Sequence, residues 1–436
     1  MDKLYKYASS LIMYNKSRTG TILERLSDII RGYESNPASG VNPQAQVNDE
    51  IHRILEVATC YGFTDNLWKS YIAYLLATDE NPFSVLCEMV GAAENASANV
   101  IVRKDMENFY RIYNYDFKKA EDVIGTDCFS LLLNYKSMHK DANTYNMSVS
   151  EKVKELRLAL DKAKGGNDFF DTVTDFYRRY GVGKLGLNKA FRVVGEGKDF
   201  SIEAITHTSD VTLEHLVGYE SQKERLVENT EAFVSGKPAN NCLLYGDAGT
   251  GKSTCIKAIV NQYYDRGLRL IEIYKHQFRE LSQIIRDVKN RNYRFIIYMD
   301  DLSFEEFETD YKYLKAVIEG GMEVRPENVL IYATSNRRHL IRETWSDRSD
   351  ISQDEVHRSD TMQEKLSLAD RFGLMIGFEK PSKKLFDQIV TELAKGAGIT
   401  IDADELIAQA NVWSLRNGGY SGRTAEQFIV NLLSKS

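Results

Sequence analysis

The residues Gly246-Asp247-Ala248-Gly249-Thr250-Gly251-Lys252-Ser253 constrain this chain more than any other segment. They match the phosphate-binding loop pattern G-x-x-x-x-G-K-[ST] in full. An apolar run over 242–245 enters the loop, and a helical pattern over 254–264 leaves it. In such a strand–loop–helix unit the glycines let backbone N–H groups curl around phosphate oxygens without Cβ interference. The helix N-terminus adds its partial positive charge at the same place. Lys252 then reaches the β- and γ-phosphates of a nucleotide, and Ser253 is a ligand for Mg²⁺. The expected phosphate contacts are the eight loop residues and the helical residue after them, Thr254.

Phe295-Ile296-Ile297-Tyr298-Met299-Asp300-Asp301 supplies a second half to this site. An apolar strand that ends in acids places carboxylates at its C-terminal end, beside the phosphates. Asp300 is expected to hold Mg²⁺, and Asp301 to polarise an attacking water as general base. The guanine-reading sequence [NT]KxD does not occur, so adenine is the expected base. ATP and Mg²⁺ are therefore the expected cofactors.

Short apolar runs at 242–245, 268–273, 295–299, 329–333 and 375–378 alternate with helical stretches. That alternation predicts a five-stranded parallel sheet wound by helices. After Pro381 no strand pattern remains, and helical segments at 383–395, 405–415 and 424–433 predict a small helical lid.

Composition bounds the rest. The chain has 436 residues, 43% hydrophobic and 27% charged, which fits a folded protein of several domains. The net charge of −7 excludes the global basicity of a bulk nucleic-acid binder and leaves room for a local basic groove. Five cysteines, widely spaced and without a CxxC pair, argue against a disulfide framework or a zinc ribbon. The first residues are interrupted by Lys3, Lys6, Asn15 and Lys16 and do not read as a signal peptide. No apolar run approaches the ~20 residues of a membrane span. A reduced, cytoplasmic setting without membrane insertion is expected.

The first 200 residues read as helices with irregular connections. Ile22, Leu23, Leu26, Ile29 and Ile30 keep helical spacing. The polar stretch 33–50 predicts a loop, as does 141–150, and helical patterning resumes at Ile51. Tyr110, Tyr113 and Tyr115 lie among Arg111, Lys118 and Lys119. Such a set either stacks on single-stranded nucleic acid or turns an aromatic stripe to a core, and the core is the expectation. Gly181, Gly183 and Gly186 match a dinucleotide fingerprint only superficially and predict a turn or hairpin.

Beyond these readings, the residues from 211 onward resemble the AAA+ ATPases, and within them an uncharacterised bacterial ATP-binding family. Leu216-Val217-Gly218-Tyr219 resembles the segment such proteins wrap around adenine, which implies Val217 and Gly218 at the base. Ala333-Thr334-Ser335-Asn336-Arg337 looks like sensor 1, which implies that Asn336 orients the water with Asp301. Leu368-Ala369-Asp370-Arg371-Phe372-Gly373 resembles the arginine-finger box, and Arg371 would reach a neighbouring subunit's γ-phosphate. Ser421-Gly422-Arg423-Thr424 looks like sensor 2, with Arg423 coupling the lid to nucleotide state. Asp300-Asp301 departs from the usual Asp-Glu, as replication initiators and helicase loaders also do. No glycine-flanked aromatic pore loop follows the second strand.

The resemblance implies an AAA+ α/β P-loop NTPase core over 201–380, a helical lid over 381–436, and a mostly helical partner-selecting domain over 1–200. It implies ATP hydrolysis that drives a conformational or remodelling step on a protein or nucleic-acid client. Self-association into a ring or spiral, a hexamer by analogy, is expected. The competing readings are an ATP-gated interaction module that barely hydrolyses and a P-loop kinase for a small molecule.

Overall fold

The computed structural model describes residues 3–15, 20–35, 43–92, 96–137, 145–195, 197–305, 308–319, 326–338, 340 and 368–435. The chain divides into two compact units, residues 1–189 with 204–207, and residues 190–203 with 208–436.

The first unit is built of helices. Its packing centres on Gly166–Tyr180, where Phe169, Val173, Phe176 and Tyr177 recur at helical spacing and are buried. Ser97–Tyr113 packs against it, with the rings of Tyr110 and Tyr113 edge-on to Phe169. Polar groups inside this core are paired, as burial requires. Tyr177 donates to the carbonyl of Leu76 at 2.6 Å and its hydroxyl meets that of Tyr14 at 3.0 Å. The buried Asp105 carboxylate accepts the backbone N–H groups of Ile12, Met13 and Tyr14.

Tyr113 is buried and Tyr110 lies edge-on to Phe169, so the aromatic stripe does face a core. Three local expectations are corrected here. The stretch 33–50 is not all loop, because Ile22–Ser35 and Pro43–Tyr61 are helices; residues 36–42 lie outside the described residues. Asn, Gln and Asp are tolerated on the solvent side of a helix whose other face is buried, and Val47 is fully buried. The glycines near 183 open the short helix Gly183–Leu187 and form no hairpin. The loop expected at 141–150 becomes the helix Met147–Leu160, capped by Asn146, while 141–144 lie outside the described residues.

The second unit holds strands β1 (Ala190–Val194), β2 (Ser201–Ala204), β3 (Cys242–Gly246), β4 (Leu268–Glu272), β5 (Arg294–Met299), β6 (Val329–Ser335) and β7 (Leu374–Phe378). They form one sheet in the order β2-β1-β4-β5-β6-β3-β7. The five expected strands are β3 to β7, and β1 and β2 extend the sheet beyond them. Pairs β1–β4, β4–β5, β5–β6, β6–β3 and β3–β7 are parallel. Strands buried on both faces read as continuous apolar runs, and every residue of β6 is buried.

This order decides where a site forms. β3 lies between β6 and β7, while the strand that follows it in sequence, β4, sits on the far side of β5. Ligands of open α/β sheets bind at the carboxyl ends of strands where the order switches, and here that point is the end of β3. Lid helices Lys383–Gly396, Ala403–Arg416 and Gly422–Leu433 close a separate apolar cluster around Phe386, Val390, Leu406, Ala410 and Phe428. Each begins on a side-chain cap, from Ser382, Asp402 and Ser421 respectively.

Candidate functional site

A cavity of about 480 Å³ opens at the end of β3. Ala248 to Thr254 line one side, with Asp300, Asp301, Thr334 and Asn336 below them. Leu216, Val217, Tyr219, Ile389 and Leu393 form an apolar wall, and Arg423 and Glu426 face in from the lid. An apolar wall facing convergent polar groups is a common form of a small-molecule site.

The loop's shape follows from its glycines. Gly246 has φ 131°, and a Cβ there would lie 1.9 Å from the carbonyl oxygen of Phe378 in β7. Gly251, φ 89°, precedes the helix Lys252–Tyr263 in the left-handed region. Lys252 donates to the carbonyls of Gly246 at 2.8 Å and Asp247 at 2.6 Å, and to Asn336 Oδ1 at 3.3 Å. Burial holds its pKa below the ordinary lysine value, and Arg423 adds to this against the attraction of Asp247, Asp301 and Asp300.

Asp300 sits one residue past β5. Its Oδ1 accepts three hydroxyls, from Ser253 at 2.7 Å, Tyr298 at 2.7 Å and Thr334 at 2.6 Å. Burial would raise its pKa, but those hydrogen bonds and the charge of Lys257 outweigh it, so the carboxylate lies below its ordinary range. Asp301 takes the left-handed conformation, φ 50°. Its N–H donates to Thr334 Oγ1 at 2.9 Å, and its Oδ1 accepts from Asn336 Nδ2 at 2.7 Å. Asn336 thus bridges Lys252 and Asp301.

Not every expected residue turns into the cavity. Asp247 is directed away, its carboxylate accepting from the backbone N–H of Lys380 at 3.0 Å. Gly246 and Gly218 shape the backbone without lining the cavity; a Cβ on Gly218 would strike Leu385. Arg371 is also outside the lining set, and its Nη2 pairs with Glu319 at 2.5 Å. Sequence reasoning assigned no role to His215, Ile389, Leu393, Thr334, Tyr298 and Glu426, whereas Leu216 and Tyr219 belong to the segment expected at adenine. Thr334 stood inside a quoted motif, and its hydroxyl two residues from Asn336 was the available signal. Ile389 and Leu393 carried none beyond an apolar helix face.

The donor set fits Mg²⁺, which takes one or two carboxylates plus phosphates and keeps several waters. Ser253 and Asp300 would hold it together with a nucleotide. Among the described residues no group of three or more His, Cys, Asp or Glu side chains could hold a metal ion. No described helix is long and apolar enough to cross a membrane.

The fold and the site define a P-loop nucleotide-binding protein of the AAA+ class. More particularly, the chain belongs to the family described as "Protein of unknown function (DUF815)", whose model matches residues 187–436. The chain is similar to the replication factor C large subunit of Staphylothermus marinus, 35% identical over 75 residues, 17% of either chain. It is 30% identical to proteasome-activating nucleotidase 1 of Haloferax volcanii over 138 residues, 27% of this chain and 34% of that protein. It thus spans only 17% and 34% of these two curated relatives. Among solved structures it is similar to a RuvB mutant of Thermotoga maritima, with 16% identity and a TM-score of 0.37, covering 51% of this chain and 65% of that one.

Proposed function

We propose that the chain binds ATP with Mg²⁺ and hydrolyses it to ADP and phosphate, using the cycle to drive a conformational or remodelling step on a protein or nucleic-acid client. The observation that carries this reading is the linked set Lys252–Asn336–Asp301 beside Asp300 and Ser253, inside one cavity that the lid also walls. In this reading Leu216, Val217 and Tyr219 enclose adenine with Ile389 and Leu393, and the backbone of 246–254 cradles the phosphates. Lys252 leaves the loop carbonyls for the β- and γ-phosphate oxygens. Mg²⁺, when bound, neutralises charge on those oxygens. Asp301 draws a proton from the water that Asn336 orients, and Arg423 ties the lid helix to the γ-phosphate.

Arg371 completes the site from a neighbouring copy. Its position outside the cavity supports that role, and a finger of this kind contributes roughly 10³–10⁵ in rate. The assembly is a ring or spiral, proposed as a hexamer in the cytoplasm, and residues 1–200 select the client. Phosphate release by pure protein over a concentration series tests the reading. Specific activity that climbs with protein concentration supports it, and release that never exceeds the ATP-only blank at any concentration refutes it. A slow ATP-gated switch is the second reading. It is favoured by Asp301, one methylene shorter than glutamate and tied to Asn336.

A further inference from the structure

Asp300 Oδ1 receives more hydrogen bonds than it can use well. Ser253, Tyr298 and Thr334 all point a hydroxyl at it, and a carboxylate oxygen offers about two lone-pair sites. Ser253 is the donor with another task in the nucleotide reading, on which this inference rests: its oxygen turns to the cation. Tyr298 and Thr334 then fill both sites of Oδ1.

Neither of those two is free to leave. Tyr298 lies in β5 and is 1% exposed, and Thr334 lies in β6 and is 2% exposed. The β5–β6 register pairs Tyr298 with Tyr332, so Thr334, two residues on, shares the sheet face of Tyr298. Thr334 is also fixed in direction. Its oxygen accepts the N–H of Asp301, which leaves its proton for Asp300. Among the described residues no protein donor is recorded on the other carboxylate oxygen, Oδ2.

We propose that Tyr298 and Thr334 form a hydroxyl clamp that pins Asp300 Oδ1 and presents Oδ2 to the divalent cation. Tyr298 is thereby a positioning residue for metal-dependent nucleotide binding. It lies in an apolar strand run, where its hydroxyl serves no packing purpose. Groups that orient a metal-ligating carboxylate typically change metal affinity ~10- to 100-fold when removed.

The experiment uses the full chain and a fluorescent ATP analogue, titrated with Mg²⁺ from an EDTA-buffered start. Tyr298→Phe should raise the Mg²⁺ concentration at half-maximal binding ~10- to 100-fold, with affinity in EDTA and melting temperature at parental values. Thr334→Val should move the same midpoint in the same direction, and Thr334→Ser, which keeps the hydroxyl, should restore it. A parental Mg²⁺ midpoint in Tyr298→Phe overturns the clamp while leaving the nucleotide reading intact. A parental chain that binds no analogue at any Mg²⁺ concentration overturns that reading and the clamp with it.

Discussion

Replacing Asp301 with asparagine separates chemistry from structure at this site. Asp301 occupies the left-handed region at φ 50°, where asparagine is among the best tolerated residues other than glycine. Its backbone N–H to Thr334 does not involve the side chain, and the bond from Asn336 Nδ2 at 2.7 Å finds an amide oxygen in place of a carboxylate oxygen. Both anchoring contacts therefore survive, and folding stability should stay within about 0.5 kcal/mol of the parent. An amide cannot take a proton from water at neutral pH. Loss of a general base costs roughly 10²–10⁴ in rate, about 3–5 kcal/mol of barrier at 1.36 kcal/mol per tenfold. The assays are steady-state phosphate release, analogue binding and urea unfolding on one preparation of each protein. Phosphate release at the parental rate would refute the base assignment. A stability loss above 1 kcal/mol would refute the structural half of the reasoning.

Lys252→Ala should weaken ATP-analogue binding at least tenfold, because the ammonium is the cavity's deepest positive charge; unchanged affinity in equilibrium titration counts against it. Arg371→Ala should cut turnover by roughly 10³-fold or more and regain activity when mixed with Asp301→Asn, since each then supplies what the other lacks. A mixture no more active than its components removes the in-trans role. Gly246→Ala places a Cβ 1.9 Å from the Phe378 carbonyl oxygen at a φ of 131°. Strain and overpacking together should cost about 2–5 kcal/mol in urea unfolding, and a loss below 1 kcal/mol would show that β7 yields freely.

Much of the core was legible because its signals are local. A phosphate loop needs glycines at set positions, an entering strand and a leaving helix, and all of these are contiguous. Strands 242–245 and 329–333 were visible as apolar runs because both faces are covered. The lid's helices were visible as helical segments after Pro381, and the structure adds the caps Ser382, Asp402 and Ser421. Less was legible where the signal was ambiguous. The polar helix Pro43–Tyr61 read partly as loop because its few apolar residues are widely spread. β2 was missed as a four-residue edge strand, and β1 because charged Arg192 and exposed Val194 interrupt any continuous buried run.

The sequence by itself determined that a phosphate-binding loop, a strand ending in two acids and a helical lid exist in this chain. It could do so because backbone curvature, helix capping and apolar runs are set by neighbouring residues. Only the tertiary structure decided which side chains meet. The order β5-β6-β3-β7 carries Thr334 to Asp300 and Asn336 to Lys252, and it holds Arg371 on Glu319 outside the cavity. Tyr298, an apparent core residue, proves to be a donor to Asp300 two residues on. The pairings of Thr334 and Asn336 depend on strand order, which joins residues 34 to 84 positions apart, and no local pattern encodes them.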